Sequence, residues 1–264
     1  MSTTPEEVKI CGWPAAQAVL DQRLSRVKRL YFTPEMRKPL GTYCSELAKA
    51  RKSYAEKSST ELTKMVRNDE HGGVVVVALP IHFTQYKPKF LTEWQAARDP
   101  LLVIDSLSSP SQLGRLLRSA LCFGINRIIL SQSAANLLNE AKCLFAAEGA
   151  VEWLKFYQVD SIRPLIKPLN EKFVTLYVGG SGASKISQFK KPVYAPGRPN
   201  AIVVSDGLGR DDNKVMASCC HKLKVQAVTN LSIQPNLEEN ASIIMAWLFR
   251  GAVESQPSGF LRKE

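Results

Sequence analysis

Residues 101–130 read LLVIDSLSSPSQLGRLLRSALCFGINRIIL, and their pattern decides the fold. The apolar run Leu101–Ile104, bounded by Pro100 and Asp105, has the form of a buried strand. After a polar loop, Ser109 stands where an N-cap belongs, with Pro110 at the first helical position. Leu113, Leu116, Leu117, Ala120 and Leu121 then fall at spacings of three, four, seven and eight, which is one apolar helical face. Gly124 stops the helix, and Ile128–Leu130 make the next strand. Strand, loop, helix and strand in that order predict a parallel sheet. Ligands of such sheets sit beyond the carboxyl ends of the strands, so Gln112, Gly114, Arg115, Arg118 and Ser119 are candidate site residues.

Downstream, Val174–Val178 is a strand running into Gly179-Gly180-Ser181-Gly182, and Ala201–Val204 is another running into Ser205-Asp206-Gly207-Leu208-Gly209. Neither loop has the Lys-Ser/Thr of a P-loop or the spacing of a dinucleotide fingerprint. Their recurrence is the informative feature, because small or polar loops at one edge of one sheet form one pocket. Lys224–Val228 reads as a further strand, Ser133–Phe145 and Ile162–Asn170 as helices, and Leu237–Arg250 as the closing helix. Upstream, Val8–Ile10, Val27–Phe32 and Val74–Leu79 read as strands. They alternate with helices at Trp13–Leu20, Leu40–Tyr54 and Ser59–Met65, the last with a capping pattern from Ser59 to Glu61. This predicts a small α/β/α sandwich over residues 1–85, a linker over 86–100 and a second α/β unit over 101–264.

The chain has 35 Lys plus Arg against 24 Asp plus Glu in 264 residues, a net charge of +11. This favours a polyanionic partner, since each neutralised phosphate releases condensed counterions, and speaks against a scaffold that ignores nucleic acid. Arg23, Arg26, Lys28 and Arg29 cluster in the first unit, and Lys185, Lys190, Lys191, Arg198 and Arg210 fall in loops of the second. Six cysteines without a C-x-x-C pair and only three histidines argue against a zinc site, and no metal is expected. Reduced thiols, no signal sequence and no apolar run near the roughly 18 residues of a membrane span predict a cytoplasmic protein.

Taken together, these segments resemble the SpoU/TrmH family of RNA ribose 2′-O-methyltransferases, within the knotted SPOUT superfamily. GWPAAQAVL, the strand at Val27 and HGGVVVVAL are similar to its N-terminal substrate-binding domain. Its first motif, Asn-Pro-x-Asn-x-Gly with Arg-Thr/Ser four residues on, is met by Ser109-Pro110-Ser111-Gln112-Leu113-Gly114 and Arg118-Ser119. AEGAVEWL, from Ala147 to Leu154, is similar to its Ser-x-Gly-Ala segment. The second motif aligns with Val203–Gly209, and the third with Ser232-Ile233-Gln234-Pro235-Asn236. Gln112 and Gln234 stand for motif asparagines, Asp206 for a glutamate and Val204 for a glycine.

The resemblance implies a trefoil-knotted C-terminal domain that binds S-adenosylmethionine and methylates tRNA or rRNA. It implies Arg118 as activator of the ribose hydroxyl, Asp206 as its acidic partner, and Gln112, Ser232 and Gln234 as a polar frame. The cofactor would contact Gly179, Val204, Ser205, Gly207, Val225 and Ile233. The alternative is a non-catalytic RNA-binding paralogue with an eroded cofactor pocket. A homodimer is expected from the same resemblance and from Ala241, Ile244, Met245, Leu248 and Phe249, an apolar face of the closing helix.

Overall fold

The computed structural model describes residues 7–179, 184–185, 195, 197–206, 217–225 and 235–253. Contacts group the chain into two compact units that do not follow chain order. The first is Met1–Phe83 with Ser109–Arg118 and Ala135–Leu154, and the second is Thr84–Ser108 with Ser119–Ala134 and Lys155–Glu264.

The first unit is built on a four-stranded sheet of β1 (Val8–Cys11), β2 (Val27–Phe32), β3 (Ser53–Glu56) and β4 (Val74–Ala78), in the order β1-β4-β2-β3. β4 is antiparallel to β1 and β2, while β2 and β3 run parallel. All five residues of β4 are buried, so both faces of the sheet are covered. On one face Leu62, Met65 and Val66 of α3 (Ser59–Val66) meet Cys11, Tyr31, Val75 and Phe145. The α1 helix (Trp13–Gln22) buries Ala15, Ala16, Val19 and Leu20.

Two sequence expectations shift here. The helix expected to run from Leu40 to Tyr54 stops at Lys49 (α2, Gly41–Lys49), and β3 follows. The stop is a Schellman motif: Lys52 N donates to Leu47 O at 2.8 Å and Arg51 N to Ala48 O at 3.0 Å. Arg51 takes the left-handed position at φ 53°, which glycine usually marks, and β3 is an exposed edge strand with no apolar alternation. The capping box of α3 starts at Ser58 rather than Ser59, with Ser58 N donating to Glu61 Oε2 at 2.9 Å and Glu61 N to Ser58 Oγ at 3.3 Å.

Within this unit a buried ion pair holds the turn at 150–152. Arg26 Nη1 donates to Glu152 Oε2, and its Nε and Nη2 donate to Leu79 O at 3.0 and 2.7 Å. Arg23 donates from Nε to Glu152 O at 2.9 Å. Two of the basic residues read from the sequence as a phosphate-facing cluster are therefore fold contacts, and Arg29 pairs with Glu7. Lys28 is the exposed member.

Among the described residues the second unit holds eight parallel strands in the order β10-β12-β9-β11-β6-β7-β8-β5. They are β5 (Thr84–Gln85), β6 (Leu101–Ile104), β7 (Arg127–Ser131), β8 (Lys155–Val159), β9 (Val174–Val178), β10 (Ser184–Lys185), β11 (Asn200–Val204) and β12 (His221–Lys224). Residues 86–100, read as a linker, carry α4 (Lys89–Ala97), which ends in a second Schellman turn with Arg98 at φ 57°. Phe90 stacks on Trp94 at 5.4 Å, and Trp94 meets Tyr157 edge-on at 4.7 Å. α4 and α8 (Arg163–Lys172) cover the face of the sheet that carries Leu101, Val103, Tyr157, Tyr177, Ala201 and Val203. Two strands depart from the sequence reading. β8 was not expected, and β12 begins at His221 rather than Lys224, both being short on apolar alternation.

The helix expected over Ser133–Phe145 is two, α6 (Gln132–Leu138) and α7 (Ala141–Ala146). Asn139 sits at the break, its side chain accepting from Ile81 N at 2.7 Å and donating to Ile81 O at 3.1 Å. α5 (Pro110–Cys122) starts as expected, Gln112 N donating to Ser109 Oγ at 3.3 Å, and ends on Gly124 at φ 75°. The closing helix α9 (Leu237–Val253) opens on a capping box. Asn236 N donates to Glu239 Oε2 and Glu239 N to Asn236 Oδ1, both at 2.9 Å. Ala241, Ile244 and Met245 are fully buried within the fold, so the chain itself uses much of the face assigned to a dimer. The expected knot falls in the C-terminal domain, of which segments 207–216 and 226–234 lie outside the described residues. Among the described residues no helix is long and apolar enough to cross a membrane.

Candidate active site

In the second unit β6 pairs with β11, and β11 with β9, so three strands that end in small or polar loops lie side by side. From β6 the chain moves one way through β7 and β8, then returns to the other side for β9. The crevice at such a reversal, outside the carboxyl ends, is where open parallel sheets bind ligands.

The residues that leave these ends form one hydrogen-bonded cluster. Ser106 Oγ donates to Asp206 Oδ1 at 2.6 Å, and Ser108 Oγ donates to Oδ2 at 3.1 Å. Ser106 and Ser205 hydroxyls lie 3.0 Å apart, and Asp206 N donates to Ser106 O at 3.2 Å. The strand ends are stitched by backbone bonds as well, Asp105 N to Val204 O at 2.9 Å and Ser205 N to Val178 O at 3.3 Å. Gly179, at φ 135°, is packed so closely that a Cβ would lie 2.1 Å from Ser205 O. Only glycine fits there. On the adjacent strand Val225 N donates to Asn240 Oδ1 at 2.7 Å, which ties the end of β12 to α9.

This edge therefore brings together Gly179, Val204, Ser205 and Asp206 of the expected set, with Val225 on the next strand. Val204 is fully buried, in register with Ile104 and Val178. Gly207, Ser232, Ile233 and Gln234 lie outside the described residues. Ser106, Ser108 and Asn240 were not singled out from the sequence; the serine-rich loop between strand and helix was the available signal for the first two.

Gln112 and Arg118 are on α5, in segments of the first unit. Arg118 Nη1 lies 2.5 Å from Glu148 Oε1, both side chains about half exposed. Arg198, expected to face a polyanion, instead donates to Phe173 O at 2.5 Å and to Asn170 O. Lys190, Lys191 and Arg210 lie outside the described residues.

Two family models match the chain's sequence, the SpoU rRNA methylase family over residues 99–228 and the RNA 2′-O ribose methyltransferase substrate-binding domain over residues 9–83. The chain belongs to the SpoU family. Its sequence is 28% identical over 167 residues to an uncharacterized tRNA/rRNA methyltransferase of Haemophilus influenzae, covering 63% of this chain and 46% of that one. It is 24% identical over 202 residues to the uncharacterized tRNA/rRNA methyltransferase YfiF of Escherichia coli O157:H7, covering 75% of this chain and 55% of that one. The chain thus spans about half the length of these two relatives. The SpoU fold is shared with the AdoMet-bound rRNA methyltransferase from Sinorhizobium meliloti, at a TM-score of 0.69 and 12% identity over 93% of this chain and 88% of that one. The Gly179, Ser205 and Asp206 cluster lies within or at the ends of strands inside the matched SpoU segment.

Proposed function

We propose that this chain transfers a methyl group from S-adenosylmethionine to a ribose 2′-hydroxyl of tRNA or rRNA, leaving S-adenosylhomocysteine and releasing the hydroxyl proton to solvent. The observation that supports this most is the Ser106–Asp206–Ser205 cluster beside Gly179, at the carboxyl-edge crevice of a SpoU sheet. Its donor set fits the cofactor: a carboxylate suits a cationic sulfonium and amine, and serine hydroxyls suit the polar groups of a nucleoside.

When bound, the cofactor supplies an electrophilic methyl group. The protein's task is then to make the ribose oxygen a nucleophile. A ribose hydroxyl ionises far above neutral pH, so a nearby cation that stabilises the developing alkoxide is what the reaction needs. Arg118 takes that role in this reading, with Asp206 as the acidic partner and Gln112, Ser232 and Gln234 as polar frame. Gly179, Val204, Ser205, Gly207, Val225 and Ile233 supply the contacts to the cofactor. The net charge of +11 supports the RNA partner. The reading includes a cytoplasmic location and a homodimer, to which the closing helix offers Leu248, Phe249 and the exposed Ile243; sedimentation at a single chain's mass at micromolar protein would remove the dimer.

Calorimetry with S-adenosylmethionine and RNA titrations at two salt concentrations test the reading together. Cofactor binding in the micromolar range is expected. Affinity for bulk tRNA should fall about 20- to 40-fold between about 50 and 200 mM salt if some three phosphates are neutralised. RNA binding without cofactor binding selects the non-catalytic paralogue, and salt-independent binding rules out phosphate contacts as its basis.

A further inference from the structure

α5 packs tightly against the end of α7. A Cβ on Gly114 would lie 2.4 Å from Cys143 O, 2.8 Å from Ala146 Cβ and 2.9 Å from Ala147 N. Arg118 is four residues on, one turn along the same face of the helix. Opposite it stands Glu148, a non-glycine residue at φ 46° in the left-handed region that side chains rarely adopt. The turn is held from behind by Gly149, where a Cβ would meet Ala18 Cβ at 2.4 Å and Pro14 O at 2.9 Å. An anchored turn thus presents a carboxylate to Arg118, and Nη1 and Oε1 meet at 2.5 Å.

Glu152, four residues on from Glu148, forms a second arginine–glutamate pair of the opposite character. Arg26 and Glu152 are 7% and 3% exposed, and Arg26 is further fixed by the Leu79 carbonyl. That pair is shielded from solvent and from incoming ligands. The Arg118 and Glu148 side chains are 53% and 44% exposed, and an ion pair in that setting is weak and readily exchanged. RNA phosphate or sugar oxygens are anionic or polar acceptors of the kind that guanidinium groups bind.

We propose that Glu148 competes with RNA for Arg118. The carboxylate holds and neutralises the guanidinium in the free protein, and gives it up when nucleic acid arrives. This rests on the assignment of Arg118 above. It makes Glu148 a gating residue that acts through Arg118: the cation becomes available only with substrate in place, and RNA that cannot displace the carboxylate meets its negative charge.

Glu148→Gln keeps the shape and removes the charge. It is expected to tighten binding of bulk tRNA about two- to fivefold at low salt, the range an exposed pair supports. KM for RNA should fall by the same factor while kcat does not fall. In an Arg118→Ala background the gain in affinity should vanish. Independently of RNA, modification of Arg118 by phenylglyoxal, read by peptide mass spectrometry, should be severalfold faster in Glu148→Gln than in the unmodified sequence.

Equal modification rates would overturn the proposal, because the pair would then not hold the arginine. A lower kcat at unchanged KM would overturn it in favour of a permanent positioning role. A gain that persists without Arg118 would reduce Glu148 to a repulsive charge. A protein that binds no RNA yet shows the difference in modification would place the failure with the proposed function, and the competition would fall with it.

Discussion

Arg118→Ala is expected to lower the rate of methyl transfer at saturating RNA and cofactor by about 100- to 1000-fold, the cost of removing one preorganised group from a developing oxyanion. The largest effect falls on this residue because nothing else in the proposed set is cationic. Its side chain is half exposed on α5, and the pair with Glu148 is of the weak surface kind, so the fold loses little with it. The thermal midpoint should accordingly stay within a few degrees, and calorimetry should return the native affinity for S-adenosylmethionine. A fall in rate below tenfold would remove Arg118 from the chemistry, and a matching loss of stability would recast it as structural.

Glu152→Ala should act in the opposite way, on stability first. The substitution leaves Arg26 buried with its charge uncompensated, and breaking such a pair from one side costs about 3–5 kcal/mol. It also removes a side chain that is 3% exposed from the turn that presents Glu148. Denaturant unfolding should show the midpoint shifting strongly towards lower denaturant. A change under about 1 kcal/mol would mean that water or rearrangement satisfies Arg26. Because a paired replacement of both charges by apolar groups can be neutral, Arg26→Met with Glu152→Leu should recover much of the loss.

The parts of the fold legible in the sequence are those where local chemistry and burial agree. β2, β6 and β9 fall at the residues expected from their apolar runs, and Ser109 with Pro110 marks the start of α5. The parts that were not legible are those where an unusual residue does a common job. Arg51 and Arg98 end helices in the left-handed position that a glycine would have announced. β3 and β12 are edge or near-edge strands whose side chains are largely polar or exposed, so their pairing leaves no alternation to read.

The site divides along the same line. Asp206 and Gly179 were visible as strand-end residues, but their partners depend on strand order, which places Ser106 beside Asp206 across 100 residues of chain. The charges misled for a related reason. Arg23, Arg26 and Arg198 look like surface cations in a basic chain, yet each donates to a carbonyl or carboxylate that only the folded chain brings to it.

Transfer of a methyl group to ribose is read directly from where the methyl label ends up in the RNA. The protein is incubated with methyl-labelled S-adenosylmethionine and bulk tRNA or rRNA, the RNA is digested to nucleosides, and the label is located by mass spectrometry. Label is expected on 2′-O-methylribose, reduced about 100-fold or more in Arg118→Ala. Label on a base, or cofactor bound by the protein with no label in any RNA, would contradict transfer to ribose.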